Sequence, residues 1–142
     1  MKVNIVFPVL DEERRLEKGI RTTEAFLAKR RDIDAVITIV DNGSTDRTPD
    51  IIKELADVYS NIEYITLGER GFGLAFREAA KRNRCDIIGY VDVDLSTDIH
   101  YLSKVMKAFE KYDDISVIKG NRLSGKSKVN GRKPLRNITS IG

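Results

Sequence analysis

Two aspartates, one residue apart, follow an apolar run in the middle of the chain. The run Asp-Ile-Ile-Gly-Tyr-Val (86–91) is typical of a buried strand, and Asp92 and Asp94 come directly after it. In an extended segment residues i and i+2 project to the same side, so these carboxylates repel each other unless a cation or strong donors lie between them. A hard divalent ion, Mg²⁺ or Mn²⁺, suits such oxygen ligands, and the phosphates of a nucleotide diphosphate would complete its coordination shell.

Acidic residues also follow two other apolar runs. The acids at the ends of predicted strands are Asp11, Glu12 and Glu13 after the first, Asp41 after the second, and Asp92 and Asp94 after the fourth. Because the carboxyl ends of parallel strands lie at one edge of a sheet, we expect these acids to converge on one crevice. For Asp11, Asp46 and Asp98 a helix-capping role is at least as good an interpretation. His100 is interpreted as a surface or capping residue.

Five apolar runs rich in Ile and Val predict β-strands. They are residues 3–7, 35–40, 62–67, 86–91 and 115–119. Segments with the apolar spacing of helices alternate with them, over 12–29, 49–59, 72–83 and 98–111. Thr48-Pro49 predicts the start of the second helix, with the threonine hydroxyl as its cap. This order predicts an α/β fold with a mostly parallel sheet and helices on its faces.

The composition describes one soluble domain. No apolar run approaches the roughly 20 residues that a membrane-spanning helix needs, and the short apolar N-terminus is interpreted as a first strand and not as a signal peptide. The single Cys85 cannot form an internal disulfide, and no Cys/His cluster indicates zinc. These features favour a cytoplasmic location.

Basic residues concentrate at the C-terminal end. The chain has 25 basic and 22 acidic residues, and residues 119–142 hold seven of the basic ones and no acid. We expect residues 1–119 to form the α/β domain and residues 120–142 a basic, glycine-containing loop or tail. On composition alone this tail is a solvated terminus; the functional alternative is a loop that meets phosphate or an anionic membrane surface.

A glycine-rich segment, Gly-Glu-Arg-Gly-Phe-Gly (68–73), precedes the third predicted helix. It matches neither G-x-x-x-x-G-K-[ST] nor G-x-G-x-x-G, so it is weak support for phosphate binding. We interpret it as a flexible turn with Arg70 facing the crevice.

Five segments together carry a family resemblance. In order they are VNIVFPVLDEE (3–13), VDNGSTDRT (40–48), GFGLAFREAA (71–80), DVDLS (92–96) and KGNRL (119–123). The series resembles the nucleotide-diphospho-sugar glycosyltransferases with the GT-A fold, and within them the polyprenyl-phosphate sugar synthases such as dolichyl-phosphate mannose and glucose synthases. D-x-D alone is a weak motif, whereas the five-part series is specific. The resemblance implies a three-layer α/β/α fold with a Rossmann-like sheet.

The resemblance also implies roles for individual residues. Those implied to line the nucleoside and base pockets are Pro8, Leu10, Glu12, Asp41 and Asn42. Asp94 would be the principal metal ligand, with Ser96 at a second metal-facing position. Asp92 would face the nucleotide, and Val93 would touch it through its backbone. Arg122 would reach the diphosphate, with Arg70 as a further cation.

Three positions depart from the family pattern. Leu10 stands where many relatives have Tyr, and Asn42 replaces an acid that can accept base N–H protons. Ser96 is a weaker metal ligand than the Gln or His of some relatives. In the family the acceptor-binding half and the residues that complete catalysis lie beyond residue 142 of this chain. We therefore expect the chain to be the donor-binding portion of a longer enzyme, incomplete at its C-terminus.

The reaction implied is transfer of a hexose from a GDP- or UDP-linked sugar to a polyprenyl or dolichyl phosphate, assisted by Mg²⁺ or Mn²⁺. The full-length protein would meet the lipid phosphate at the cytoplasmic membrane face, and no nucleic acid partner is expected.

Two alternatives stay open. A receiver-type phosphoacceptor domain loosely matches Asp11, Glu12 and Lys119 but needs an aspartate after the third strand, which the sequence lacks there. The other alternative is a non-catalytic nucleotide-sugar-binding module.

Overall fold

The computed structural model describes residues 1–120, in which strands and helices alternate. The elements are β1 (Lys2–Val9), α1 (Leu16–Ala28), β2 (Asp34–Asp41), α2 (Thr48–Val58), β3 (Ile62–Thr66), α3 (Phe72–Arg82), β4 (Ile87–Tyr90) and α4 (Tyr101–Lys111). The predicted alternation is confirmed for four strands and four helices. α1 begins four residues later than the sequence pattern predicts, and α4 begins three residues later.

The four strands form one parallel sheet in the order β3-β2-β1-β4. The chain adds β2 and β3 on one side of β1 and then crosses to place β4 on its other side. The strand order therefore reverses between β1 and β4, and ligands of open parallel sheets bind at such a reversal, beyond the carboxyl ends of the strands. β4 ends opposite Val6, three residues before β1 ends, so the segment after β4 lies alongside the end of β1.

Helices cover both faces of the sheet, which gives three layers. The larger core cluster joins one face to α1, α2 and α4 through Leu16, Ile20, Ile52, Leu55 and Met106. The smaller cluster joins the other face to α3 through Ala75 and Ala79. The predicted α/β/α arrangement is confirmed, with most of the apolar burial on the side of α1.

A partly buried polar network connects the start of β4 to the sheet face that carries the smaller core cluster. Thr38 donates its hydroxyl to Asn4 Oδ1 (2.8 Å), and Asn4 donates its amide to Asn83 Oδ1 (3.2 Å). Asn83 in turn donates to the Cys85 carbonyl at 2.9 Å. Because the buried amide of Asn4 and the half-buried amide of Asn83 are both paired, this network fixes the entry into β4.

The predicted fifth strand over 115–119 is wrong. These residues have no regular secondary structure, and the side chain of Val117 is 83% exposed. Ile and Val favour strands, but a strand forms only with a hydrogen-bonded neighbour, and no strand of the described part pairs with this run. The described chain divides into two units after Lys107, and the run belongs to the second.

Within residues 1–120, no helix is both long enough and apolar enough to cross a membrane.

Glu24 on α1 carries a buried carboxylate oxygen, Oε1, without a hydrogen-bond partner among the described residues. Burial raises the pKa of Glu24, although a hydrogen bond with Asn61 acts in the opposite direction. A raised pKa in the folded state means that protonation of Glu24 favours folding. This contribution is fully present below the unfolded-state pKa and is lost as pH rises through the folded-state pKa.

We therefore expect Glu24→Gln to increase the free energy of unfolding at about pH 7 and to change it little at about pH 4. Urea unfolding at the two pH values measures the difference. Glu54→Gln, at an exposed position on α2, is the control and should change neither value. A Glu24→Gln protein no more stable than wild type at neutral pH would contradict this account.

Candidate active site

Hydrogen bonds join the loop after β1 to the loop after β2. Asp11 adopts the left-handed conformation (φ 51°) and donates its backbone N–H to Ser44 Oγ at 2.9 Å. Thr45 returns a bond, from its backbone N–H to Asp11 Oδ1 at 2.8 Å. The reciprocal pair uses a carboxylate to satisfy a loop N–H group, so Asp11 has a structural role at this edge of the sheet.

A second set of hydrogen bonds connects the residues just before α1 to the residues at the start of α2. Glu12 donates its N–H to Thr48 Oγ1 (2.9 Å), and Glu13 donates its N–H to Asp46 Oδ2 (3.2 Å). Arg47 donates its N–H to Glu13 Oε2 at 3.1 Å. The prediction that the Thr48 hydroxyl caps α2 is wrong, because that buried hydroxyl accepts from Glu12 instead and Arg47 is the N-cap.

Asp46 takes the place predicted for a capping carboxylate. Its Oδ1 accepts the N–H of Thr48, the first residue of α2, at 2.8 Å. Desolvation acts to raise the pKa of Asp46, but hydrogen bonds from Thr48 and Glu13 outweigh it and lower the pKa overall. The folded loop therefore favours the ionised form of Asp46.

Asp41 and Asn42 lie at the end of β2 with little exposure. Asp41 is 2% exposed, and its Oδ1 accepts the Ser44 N–H at 2.9 Å, which shapes the loop. Asn42 is 6% exposed, and its Oδ1 is buried without a hydrogen-bond partner among the described residues. Gly43, which follows, has φ +83°, a conformation that favours glycine. Asp41 thus organises the turn, while Asn42 leaves one buried acceptor unsatisfied among the described residues.

Asp92 and Asp94 lie on a tight turn and not in an extended strand. The last sheet bond of this segment runs from Val91 N–H to the Val6 carbonyl (2.9 Å). Leu95, in the left-handed conformation (φ 52°), then donates its N–H to the Asp92 carbonyl at 2.9 Å. The prediction that Asp92 and Asp94 project to the same side of an extended strand is therefore wrong, because the chain turns before it reaches Asp94.

The turn has a buried middle and an exposed end. Val93 is 3% exposed and belongs to the larger core cluster, whereas Asp94 is exposed and Asp92 is half-buried. Asp94 Oδ1 accepts the Ser96 N–H at 2.9 Å, which fixes the carboxylate relative to the backbone. The anchored valine between two aspartates holds them at the surface beyond β4.

The donor set fits a hard divalent ion only in part. Two carboxylates and the exposed hydroxyl of Ser96 are oxygen donors, which Mg²⁺ and Mn²⁺ prefer. Among residues 1–120, no group of three or more His, Cys, Asp or Glu side chains is arranged to bind a metal. An ion here would keep coordination positions for water or phosphate oxygens, as Mg²⁺ usually does.

Asp98 and His100 lie in the segment between this turn and α4. Asp98 Oδ1 accepts the His100 N–H at 2.9 Å and lies 2.7 Å from His100 Nδ1, and the hydrogen bond from the His100 backbone is the main cause of its lowered pKa. The His100 ring packs edge-on against Phe26, 5.1 Å between centroids. Both residues serve the turn before α4, which agrees with their structural interpretation.

The remaining predicted site residues are placed as follows. Pro8 is half-buried at the end of β1, and Leu10 is 37% exposed just beyond it. Arg70 is exposed in the loop between β3 and α3. Arg122, with the rest of residues 121–142, lies outside the described residues.

A family model described as Glycosyl transferase family 2 matches residues 4–141. The chain belongs to this family. A dolichyl-phosphate beta-glucosyltransferase of Trichomonas vaginalis is 31% identical over 99% of the chain and 46% of its own length. An undecaprenyl-phosphate 4-deoxy-4-formamido-L-arabinose transferase of Pseudomonas fluorescens is 30% identical over 84% of the chain and 36% of its own length.

Solved structures support the fold assignment of this glycosyltransferase family 2 chain. A mannosyltransferase from Pyrobaculum calidifontis, in complex with GDP-Man and Mn²⁺, superposes with a TM-score of 0.64 at 22% identity over 75% of the chain and 31% of that protein. S. aureus TarS with UDP-GlcNAc gives 0.61 at 20% identity over 80% of the chain and 32% of that protein. The fold is of the GT-A type, and the chain spans about half the length of the first curated relatives it matches.

Thr48→Val tests the join between the two loops. It keeps the shape of the side chain but removes the acceptor for the Glu12 N–H, so the free energy of unfolding should fall by about 1–3 kcal/mol. Thr45→Val is the matched control. Thr45 is exposed, its short bond to Asp11 uses the backbone N–H (2.8 Å), and its hydroxyl makes only a long, exposed bond to the same oxygen (3.4 Å). Its effect should stay within about 0.5 kcal/mol. Equal losses in urea unfolding for both variants would contradict the assignment.

Proposed function

We propose that the chain is the donor-binding part of a metal-dependent glycosyltransferase that moves a hexose from a nucleotide diphosphate sugar to a polyprenyl phosphate. The observation that carries the proposal is the Asp92–Asp94 turn at the reversal of strand order, in a chain of glycosyltransferase family 2. Support for the acceptor comes from relatives named as dolichyl- and undecaprenyl-phosphate transferases. Support for the donor comes from fold neighbours solved with GDP-Man or UDP-GlcNAc.

The turn would hold a divalent ion through its carboxylates. In this proposal Asp94 is the principal ligand, Ser96 a second metal-facing position, and Asp92 lies toward the nucleotide. When bound, Mg²⁺ or Mn²⁺ would stabilise the negative charge that builds on the leaving diphosphate as the glycosidic bond breaks. The backbone N–H of Ser96 keeps the Asp94 carboxylate oriented before the ligand arrives, so little reorganisation is needed.

The joined loops would form the nucleoside pocket. Pro8, Leu10 and Glu12 contribute its β1 side, and Asn42 offers an amide oxygen that a base N–H could satisfy. Asp41 contributes indirectly, because its carboxylate accepts the Ser44 N–H and so shapes the loop. Both uracil and guanine carry ring N–H groups, so this acceptor is compatible with a UDP- or a GDP-linked donor.

The proposal also includes two arginines for the diphosphate and a lipid phosphate as the sugar acceptor. Arg70 and Arg122 would pair with the diphosphate, in addition to the metal ion. A lipid phosphate is already ionised and needs little help from a general base, and the basic stretch 119–142 would attract it at an anionic membrane surface. The residues that bind the acceptor are proposed to lie beyond residue 142.

Asp94→Asn tests the metal site directly. Replacing the carboxylate by an amide should weaken Mn²⁺-dependent binding of UDP or GDP on the order of 100-fold, since a charged ligand to the ion is lost. Thermal shift with and without Mn²⁺ reports the binding, because a ligand of the folded state raises the apparent stability. Asp98→Asn, the same change four residues away, is the matched control and should bind as wild type does.

Undiminished Mn²⁺-dependent binding by Asp94→Asn would refute this metal site. A non-catalytic binding module is a separate outcome. It would show binding without transfer of the sugar to added polyprenyl phosphate, even in the full-length protein.

A further inference from the structure

Gly19 lies inside α1, where a glycine costs stability relative to alanine. A methyl group built on its Cα would lie 2.1 Å from the Val93 carbonyl oxygen and 3.0 Å from Val93 Cγ2. Carbon and oxygen atoms do not approach to 2.1 Å without bonding. The glycine therefore permits a contact between the helix and the backbone of Val93 that no other residue type permits.

Val93 links this contact to the two aspartates. Its side chain belongs to the larger core cluster, together with Leu16 and Ile20, which lie one turn before and directly after Gly19 on α1. Its carbonyl carbon is bonded to the nitrogen of Asp94, whose side chain is then fixed by the Ser96 N–H. The depth at which Val93 sits against α1 consequently sets the position of the Asp94 carboxylate.

We propose that Gly19 is a positioning residue for the metal–diphosphate site, because its lack of a side chain seats the Asp92–Leu95 turn against α1. The inference rests on the proposed function. Alanine at this position has to displace the Val93 carbonyl by about 0.9 Å, the difference between 2.1 Å and the shortest tolerated separation of 3.0 Å. Binding constellations tolerate displacements of only about 0.5 Å.

The expected effect of Gly19→Ala is therefore on metal-dependent affinity. Binding of UDP or GDP in the presence of Mn²⁺ should weaken on the order of 10- to 100-fold, as for other small displacements of metal ligands. Isothermal titration with and without Mn²⁺ measures it on the whole chain. Gly89→Ala is the control, because a methyl at this β4 position meets no atom within 4 Å, and its affinity should equal that of wild type.

Urea unfolding distinguishes the effect of the Gly19–Val93 contact from the general preference of helices for alanine. Alanine favours helices over glycine, so Gly73→Ala in α3, where a methyl meets no atom within 4 Å, should raise the urea midpoint. Gly19→Ala should lower it. In ¹⁵N NMR spectra, Gly19→Ala should shift the amides of Asp94, Leu95 and Ser96, which Gly73→Ala should leave unchanged.

The outcomes distinguish this inference from the proposed function. Wild-type affinity in a folded Gly19→Ala protein, or unshifted amides at residues 94–96, overturns the inference alone. Absence of Mn²⁺-dependent binding in the wild-type chain overturns the proposed function and the inference with it. If Gly19→Ala does not fold, Val93→Ala tests the seating of the turn, because it keeps the carbonyl and removes most of the side chain that anchors the turn in the core. It should speed hydrogen exchange of the Leu95 amide and weaken Mn²⁺-dependent binding. No change in either would overturn the inference.

Discussion

Crowding of carboxylates at one edge of a parallel sheet is the constraint on which this structure depends. Negative charges placed together need partners, and hydrogen bonds from backbone N–H groups are strong ones. The acids whose side chains accept such bonds at this edge are Asp11, Glu13, Asp41, Asp46 and Asp94. The bonds of Asp41 and Asp94 shape their own turns, and those of Asp11, Glu13 and Asp46 join the loop after β1 to the loop after β2. The acidic residues themselves therefore organise this edge of the sheet.

The same constraint divides the acids by role. The carboxylates of Asp11, Asp41 and Asp46 are engaged in holding the loops after β1 and β2. Asp94 differs because the bond that its carboxylate accepts, from Ser96, stays within its own turn, whose central residue, Val93, is buried. Its backbone is therefore anchored although its side chain is exposed, and the proposed binding of an ion and a diphosphate needs this combination.

Much of the fold follows from local sequence patterns, whereas the site depends on contacts between distant residues. Apolar periodicity predicted the sheet, and the acids at strand ends marked the edge at which hydrogen bonds join the loops after β1 and β2. The pattern could not show that Glu12 and Glu13 bond to the loop after β2 before α1 begins. Nor could it show that the Thr48 hydroxyl accepts the Glu12 N–H and does not cap α2. β-Branched residues at 115–119 favoured a strand that no neighbour pairs with. A glycine inside a helical pattern was the one signal for Gly19, and its partner Val93 lies 74 residues away.

Anomalous diffraction at the manganese edge tests the central claim most directly, on crystals grown with Mn²⁺ and UDP or GDP. The account predicts one strong peak within coordination distance of the Asp94 carboxylate, in contact with both phosphates of the nucleotide and beyond the carboxyl ends of β1 and β4. A nucleotide bound at this edge without a metal peak beside Asp94, or with the metal held by Asp11, Glu13 and Asp46 instead, would contradict it.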